Sequence, residues 1–261
     1  MRPGEAFEIE CYNYLQKKYG DRFYREGGMD STKSDIAVIK NNLTAFFIEA
    51  KDAAAQSGQF VLFPDEETKK FVFSSRNKSE PNEMTDIIID YMNRDFDRFN
   101  SAGTAGESLD IDSDVFSNWI IQHYIDKDVK YVISYRNGYV ILPIEKFDEY
   151  FDISAKYRIK KSGSGKPAKK DILAIAEIIN NTYSSAEFYP EEKSLFVKIP
   201  ENVYTPKFIL GKYTYYLSKT EYSNIYEVRR LSNTYNMNVI FSIQLRRSQD
   251  KADLKEFEAD L

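Results

Sequence analysis

The chain has 261 residues, 42% hydrophobic, 30% charged and 15% aromatic, which is enough apolar material to bury one large core or two small ones and excludes a disordered chain. One cysteine, Cys11, and one histidine, His123, exclude an internal disulfide and a Cys/His zinc site, and leave Cys–His or Ser–His–Asp catalysis one imidazole inside the aromatic stretch Trp119 to Tyr124. The net charge is −5, so a polyanionic partner would have to be met by a local basic excess, and the lack of any apolar run of about eighteen residues or of a signal-like start at Met1-Arg2-Pro3-Gly4-Glu5 predicts a cytoplasmic protein with no membrane partner.

In chain order, Gly4 to Tyr19 reads as an amphipathic helix, with Phe7, Cys11, Tyr14 and Leu15 at helical spacing and Gly20 as its stop. Arg22 to Arg25 is a short strand and Gly27 to Thr32 a loop. Asp35 to Ile39 and Thr44 to Ala50 are strands joined by an Asn-Asn turn, a β-hairpin. Ala53 to Gln59 reads as a loop or short helix, Lys69 to Ser74 as a strand, and Met84 to Phe99 as a helix. After a Gly/Ser/Asp-rich loop, Val115 to Asp126 is helical. Val129 to Tyr135 and Tyr139 to Pro143 form a hairpin over Asn137-Gly138, and Ile144 to Phe151 is a short helix. A basic stretch follows, then a helix opened by Pro167 and running to about Asn181. Strands are expected at Leu195 to Ile199, Phe208 to Leu217, Ile225 to Leu231 and Val239 to Leu245, and the charged tail after Arg246 reads as a frayed helix.

The chemistry lies in the first hairpin. Asp35 begins one strand and Glu49 ends the other, so the turn returns them to the same end of the ribbon. Side chains alternate along a strand, so Glu49 and Lys51 share a face and Ala50 points opposite. With so few histidines and cysteines, hydrolysis here has to rest on carboxylates and a lysine. Two carboxylates, waters and the Ala50 carbonyl are the hard oxygen ligands that Mg²⁺ prefers. Lys51 then orients or deprotonates the attacking water, or neutralises developing charge.

Ser34-Asp35 followed by Glu49-Ala50-Lys51 resembles the PD-(D/E)XK nuclease superfamily, the fold of type II restriction endonucleases, Holliday-junction resolvases and related enzymes, with Ser34 in place of the motif's proline. The resemblance covers about residues 4 to 60. It implies an α/β (α+β) protein: a restriction-endonuclease-like core with a mixed central β-sheet flanked by helices, to which the strand pattern from Leu195 onward adds a β-rich C-terminal part. It also implies catalytic roles for Asp35, Glu49 and Lys51, a helical glutamate (Glu8, with Glu5 as the alternative) and a glutamine after the lysine, Gln56 or Gln59. Asp35, Glu49 and Ala50 would be the Mg²⁺ ligands.

The division expected is a nuclease core over residues 1–155 and a region for DNA recognition or dimerisation over 156–261, which may equally be continuous with the core. Between Lys156 and Lys170 stand seven Lys/Arg and no acid. Lys156, Arg158, Lys160, Lys161, Ser162, Ser164, Lys166, Lys169 and Lys170 are the candidates for gripping DNA, by neutralising phosphates and by close backbone approach. Arg229-Arg230 and Arg246-Arg247 are weaker candidates for reading guanine. The length of chain after the hairpin, without a phosphate loop, is similar to a stand-alone type II restriction endonuclease. That likeness implies Mg²⁺-dependent cleavage of double-stranded DNA at a defined sequence, a homodimer, and a separately encoded DNA methyltransferase as cognate partner. A nuclease acting on junctions, ends or modified DNA, and a non-catalytic DNA-binding protein, remain the alternatives.

Overall fold

A computed structural model describes residues 3–26, 34–161, 163–191, 194–232 and 234–261. The loop expected at Gly27 to Thr32, and Ser162, lie outside them, as does the side chain of Lys161. The chain divides into two compact units, Met1–Arg158 with Met237–Leu261, and Ile159–Asn236. The second part expected from residue 156 therefore starts close to its place but does not run to the end, because the last strand and helix fold back into the first unit.

The first unit opens with α1 (Pro3–Tyr19) and β1 (Phe23–Arg25), then β2 (Ile36–Lys40) and β3 (Leu43–Ala50). Between the last two, Asn41 and Asn42 both take left-handed backbone, φ 52° and 64°, as a tight hairpin turn demands. Next come β4 (Ala54–Asp65), β5 (Lys70–Phe73), α2 (Glu83–Asn93), α3 (Phe96–Asn100), β6 (Glu107–Ser108) and α4 (Ser113–Ile125). The hairpin β7 (Val129–Tyr135) and β8 (Tyr139–Pro143) turns at Asn137-Gly138 and is followed by α5 (Phe147–Tyr150) and β9 (Phe151–Lys161), which carries the chain out of the unit. One sheet runs β1-β2-β3-β7-β8, antiparallel except for the parallel pair β3–β7.

The second unit holds β10 (Ser164–Gly165), α6 (Ile172–Thr182), β11 (Glu187–Glu191), β12 (Ser194–Lys198), β13 (Lys207–Leu210), β14 (Tyr213–Lys219) and β15 (Ile225–Leu231). Its sheet runs β11-β12-β15-β14-β13, with β10 on β15, and its core packs Ile175 and Ile179 of α6 on Val197, Tyr215 and Val228. The chain returns through β16 (Tyr235–Leu245) and α7 (Lys251–Asp260). β16 completes a second sheet of the first unit, β5-β4-β16-β9-β6.

Five expectations are corrected. Ala53 to Gln59 is the first half of β4, not a loop or helix, because its partner β16 lies far along the chain. Phe208 to Leu217 is a hairpin, turning at Gly211 with φ 58°. The helix expected from Pro167 begins at Ile172 after a short 3₁₀ turn, with Pro167 buried outside it. The tail is not frayed: α7 sinks Phe257 completely into the core formed by Cys11, Leu15, Ile36, Ile48, Tyr131 and Ile133. Its buried Asp253 takes hydrogen bonds from Lys146 and the Tyr150 hydroxyl, both at 2.5 Å. The helix expected at Met84 to Phe99 is also interrupted, at Asp95 with φ −136°.

Under the second sheet α4 stacks Trp119 on Phe241 of β16, centroids 4.4 Å apart, and tilts it against Phe60 of β4. Gly58, at φ 104°, is required here, since a Cβ would come within 2.7 Å of the Trp119 ring. His123 also stacks on the indole, at 4.9 Å, a packed helical residue, and burial, then Lys127, pushes its pKa down to about 4. Phe257→Ala removes a fully buried ring and is expected to destabilise the protein by about 3–5 kcal/mol in chemical denaturation. For His123 the unfolded ring binds a proton near pH 6.5 that the folded one refuses until about 4. Its contribution to stability is thus complete above 6.5 and declines as pH falls from there to about 4. An NMR titration of the single imidazole should give a midpoint near 4, and a midpoint near 6.5 would place the ring in water.

Candidate active site

The hairpin register pairs Ile36 with Ile48, so the residues one step outward, Asp35 and Glu49, stand across from each other at the same end of the ribbon. Both are buried, 8% and 7% exposed, a costly setting for two acids unless each is bonded or paired. Asp35 Oδ2 accepts the amide N–H of Ala50 at 2.9 Å, which locks the strand end onto the carboxyl. Glu49 Oε1 accepts from Lys51 Nζ at 2.7 Å, which fixes both side chains on one face as strand alternation requires. Lys51 is held from behind by its own backbone, whose N–H donates to Ile133 O of β7 at 2.9 Å.

The charges are strongly coupled. Burial, then the charge of Glu49, raises the Asp35 carboxyl to about 7. Burial works against the Lys51 ammonium, but Glu49, Tyr124 and Asp35 together hold its pKa well above the usual lysine value. Of the two helical glutamates, Glu8 belongs to this group: burial raises its pKa, and Lys51 and Glu49 act on it. Glu5 instead lies 3.8 Å from Arg25. Glu8 Oε2 is buried with no hydrogen-bond partner among the described residues.

Two residues that carry no sequence signal also belong here. Tyr124 of α4 is buried, its hydroxyl 3.0 Å from Ser57 of β4, and its ring faces the ammoniums of Lys51 and Lys127, each 5.8 Å from the centroid. Lys127 follows α4, its carbonyl accepts from Ser34 Oγ at 3.2 Å, and burial lowers its pKa while Glu49 pulls it up. Only the parallel β3–β7 pairing brings this turn beside Asp35 and Glu49. Gln56 sits on the opposite face of β4 from Ser57 and donates to Gln59 at 3.1 Å, so neither glutamine is joined to the acid–lysine group by a hydrogen bond.

The basic stretch is not one loop. Lys156, Arg158 and Lys160 lie on β9, with Lys156 and Lys160 exposed and Tyr157 between them buried. The unit boundary at Arg158 leaves Lys160, Lys166, Lys169 and Lys170, all exposed, in the second unit. The Ser164 hydroxyl accepts from Arg229 Nε at 3.1 Å and from the Tyr216 hydroxyl at 3.0 Å, and its carbonyl accepts from Arg229 at 2.9 Å. The helix end expected beside this stretch is displaced to Asp171, an acid. The arginine pairs are engaged within the chain. Arg229 pairs with Glu227 and Arg230 lies over Tyr213 at 4.5 Å, while Arg246 pairs with Asp152, and Arg247 with Glu149 and Asp250. Tyr215 is fully buried, as alternation predicts for that strand.

As a cation site the group fits a hard divalent ion. Among the described residues no three His, Cys, Asp or Glu side chains gather as one metal-binding set. What is present is two mutually repelling carboxylates beside a backbone carbonyl, with the orphaned Glu8 oxygen coupled to them. That donor set is all oxygen, the kind of ligand Mg²⁺ prefers.

No family model and no curated protein matches the chain. Among solved structures it is similar to HhaI endonuclease in complex with DNA, with 36% identity, 98% of each chain covered and a TM-score of 0.82. The architecture is thus a restriction-endonuclease-like one, a mixed α/β protein around a mixed central sheet with helices. No described helix is long and apolar enough to cross a membrane. With more than a third of its residues identical over nearly its whole length, the chain belongs to the HhaI endonuclease family.

Proposed function

We propose that this protein is a Mg²⁺-dependent endonuclease of the PD-(D/E)XK type that hydrolyses phosphodiester bonds of double-stranded DNA at a defined sequence, a type II restriction enzyme. The observation that carries the reading is the convergence of Asp35, Glu49 and Lys51 at one end of a buried hairpin, with Lys51 Nζ 2.7 Å from Glu49. A solved relative, HhaI endonuclease, was captured with DNA, which supports the choice of substrate.

Asp35, Glu49 and the Ala50 carbonyl would hold the ion. Bound there, Mg²⁺ supplies Lewis-acid stabilisation of the scissile phosphate and a more acidic water. The rest falls to the chain's own groups. Asp35 is kept in place by the Ala50 amide and Glu49 by Lys51. The high pKa of Lys51 keeps it charged near neutral pH, so it orients water and steadies developing negative charge rather than removing a proton. Lys127, whose ammonium is also 5.8 Å from the Tyr124 ring centroid, adds positive potential for the phosphate, and Glu8 supports Lys51. Lys160, Lys166, Lys169 and Lys170 of the second unit serve as phosphate contacts, with that unit taken as a recognition or dimerisation part. A palindromic site would be met by a homodimer, with a separately encoded methyltransferase protecting host DNA in the cytoplasm.

Incubation with long unmethylated DNA and Mg²⁺ tests this. The wild type should give discrete fragments, chelation should stop cleavage, and Mg²⁺ should restore it. Asp35→Ala and Lys51→Ala should each lower cleavage by about three orders of magnitude, with duplex binding kept within a few-fold. Full activity in either variant would remove the assignment, and a smear in place of bands would exclude sequence-specific cutting. Lys127→Ala is expected to slow cleavage by about tenfold to a hundredfold with unchanged thermal stability, checked by single-turnover kinetics alongside a melting curve.

A further inference from the structure

Tyr124 stands in the acid–lysine group without a part of its own. It lies near the end of α4 and is 2% exposed, with its ring packed against His123 and Phe147, centroids 5.5 and 6.4 Å away. Its hydroxyl is engaged with Ser57 at 3.0 Å. Ser57 is itself fully buried and sits at an irregularity of β4. The register with β16 shifts between Ile240 and Ser242, so that Ser57 and Gly58 together oppose Phe241. Such a bulge re-aims a side chain, and here Ser57 is turned to Tyr124. Packing on the ring and a bond at its tip thus fix where the phenol lies.

A ring held in this way meets two cations. Lys51 Nζ and Lys127 Nζ are each 5.8 Å from its centroid, inside the roughly 6 Å over which an aromatic face attracts an ammonium. Burial pushes the phenol's pKa up, so the ring stays neutral and what attracts is its quadrupole, not a phenolate charge. The two ammoniums repel each other, and Lys51 is among the charges that lower the pKa of Lys127. A ring that they share offsets part of that repulsion and keeps both near the carboxylates.

A lysine in this position needs a guide besides its carboxylate. An ammonium carries three protons on a flexible stem, and among the described residues Lys51 donates to Glu49 alone, at 2.7 Å. In the nuclease reading Glu49 also faces the ion, so its oxygens are shared and cannot by themselves settle where the ammonium points. Lys127 comes from a different element, the turn after α4, anchored by its carbonyl to Ser34. Tyr124 is the aromatic residue that both lysines have in common.

We propose that Tyr124 is a positioning residue for phosphodiester cleavage, whose ring and not its hydroxyl holds the ammoniums of Lys51 and Lys127 as a spaced pair beside Asp35 and Glu49. The reaction it serves rests on the nuclease reading above, whereas the pairing of ring and lysines does not. Two measurements test it: single-turnover cleavage with Mg²⁺, and NMR of metal-free protein labelled with ¹³C at the lysine ε-carbons, the two signals assigned with Lys51→Arg and Lys127→Arg. In the wild type the ring should displace both ε-methylene signals upfield. Tyr124→Phe, the conservative variant, should keep both signals displaced and the cleavage rate within about twofold. Tyr124→Leu should return both signals to the common lysine position and slow cleavage by about threefold to thirtyfold, with duplex affinity unchanged. A residue that only fills space would lower the melting temperature and leave the signals where they were. Unmoved signals or an undiminished rate in Tyr124→Leu, or a rate in Tyr124→Phe as low as in Tyr124→Leu, overturns the proposal. If Tyr124→Leu does not fold, Tyr124→Met fills the same hole without a ring and is read in the same way. A wild type that cuts nothing would remove the nuclease reading, and the spectra would still decide the ring–lysine pairing.

Discussion

Two carboxylates buried across a hairpin repel each other, and the first unit is built around containing that repulsion. Asp35 and Glu49 cannot both ionise in an apolar setting without help, and the help is specific: the Ala50 amide for one and the Lys51 ammonium for the other. Lys51 can serve only because β3 runs parallel to β7, which takes its backbone N–H. The same pairing brings the end of α4, with Tyr124 and Lys127, beside the group. In the proposed reading a bound cation would complement the two carboxylates. Strand order and electrostatics thus converge on one corner.

The second sheet grows out of that corner without a break in the chain. Lys51 is followed within three residues by β4, so a strand that starts beside the acids continues as the carrier of Gln56 and Gln59. Its inner face is held by Trp119, Phe60 and Phe241, and the bulge at Ser57-Gly58 is fixed by how closely the indole approaches. Rigid packing on one face leaves the polar side chains of the other in set positions.

What could be read from the sequence was local. Asn41-Asn42 and Asn137-Gly138 announced their hairpins because only such residues take left-handed backbone cheaply, and the first hairpin then places Asp35 opposite Glu49. Glu8 was singled out only through the family resemblance, because helical spacing puts Glu5 on the same face of α1. Distant partners decide the rest. Ala53 to Gln59 has no strand periodicity, because a bulge shifts its alternation and its partner is residues 238–244. Lys127 and Tyr124 look like an ordinary helix end until β7 is set against β3. The charged tail hid a helix whose Asp253 and Phe257 are buried, since an acid bonded to a lysine and a tyrosine is compositionally the same as a solvated one. The basic run was visible as charge, but not that it begins on a strand and crosses a unit boundary.

The return of β16 has a bearing on biosynthesis. Gln59 and Asn238 are 179 residues apart, and at about 5–20 residues per second a ribosome needs roughly 10 to 35 s to make the second after the first. Throughout that interval β4 has no β16 to pair with, and the hairpin bearing Asp35 and Glu49 lacks Phe257 beneath it. The corner holding Asp35 and Glu49 is thus braced only when synthesis has passed through residues 237–261.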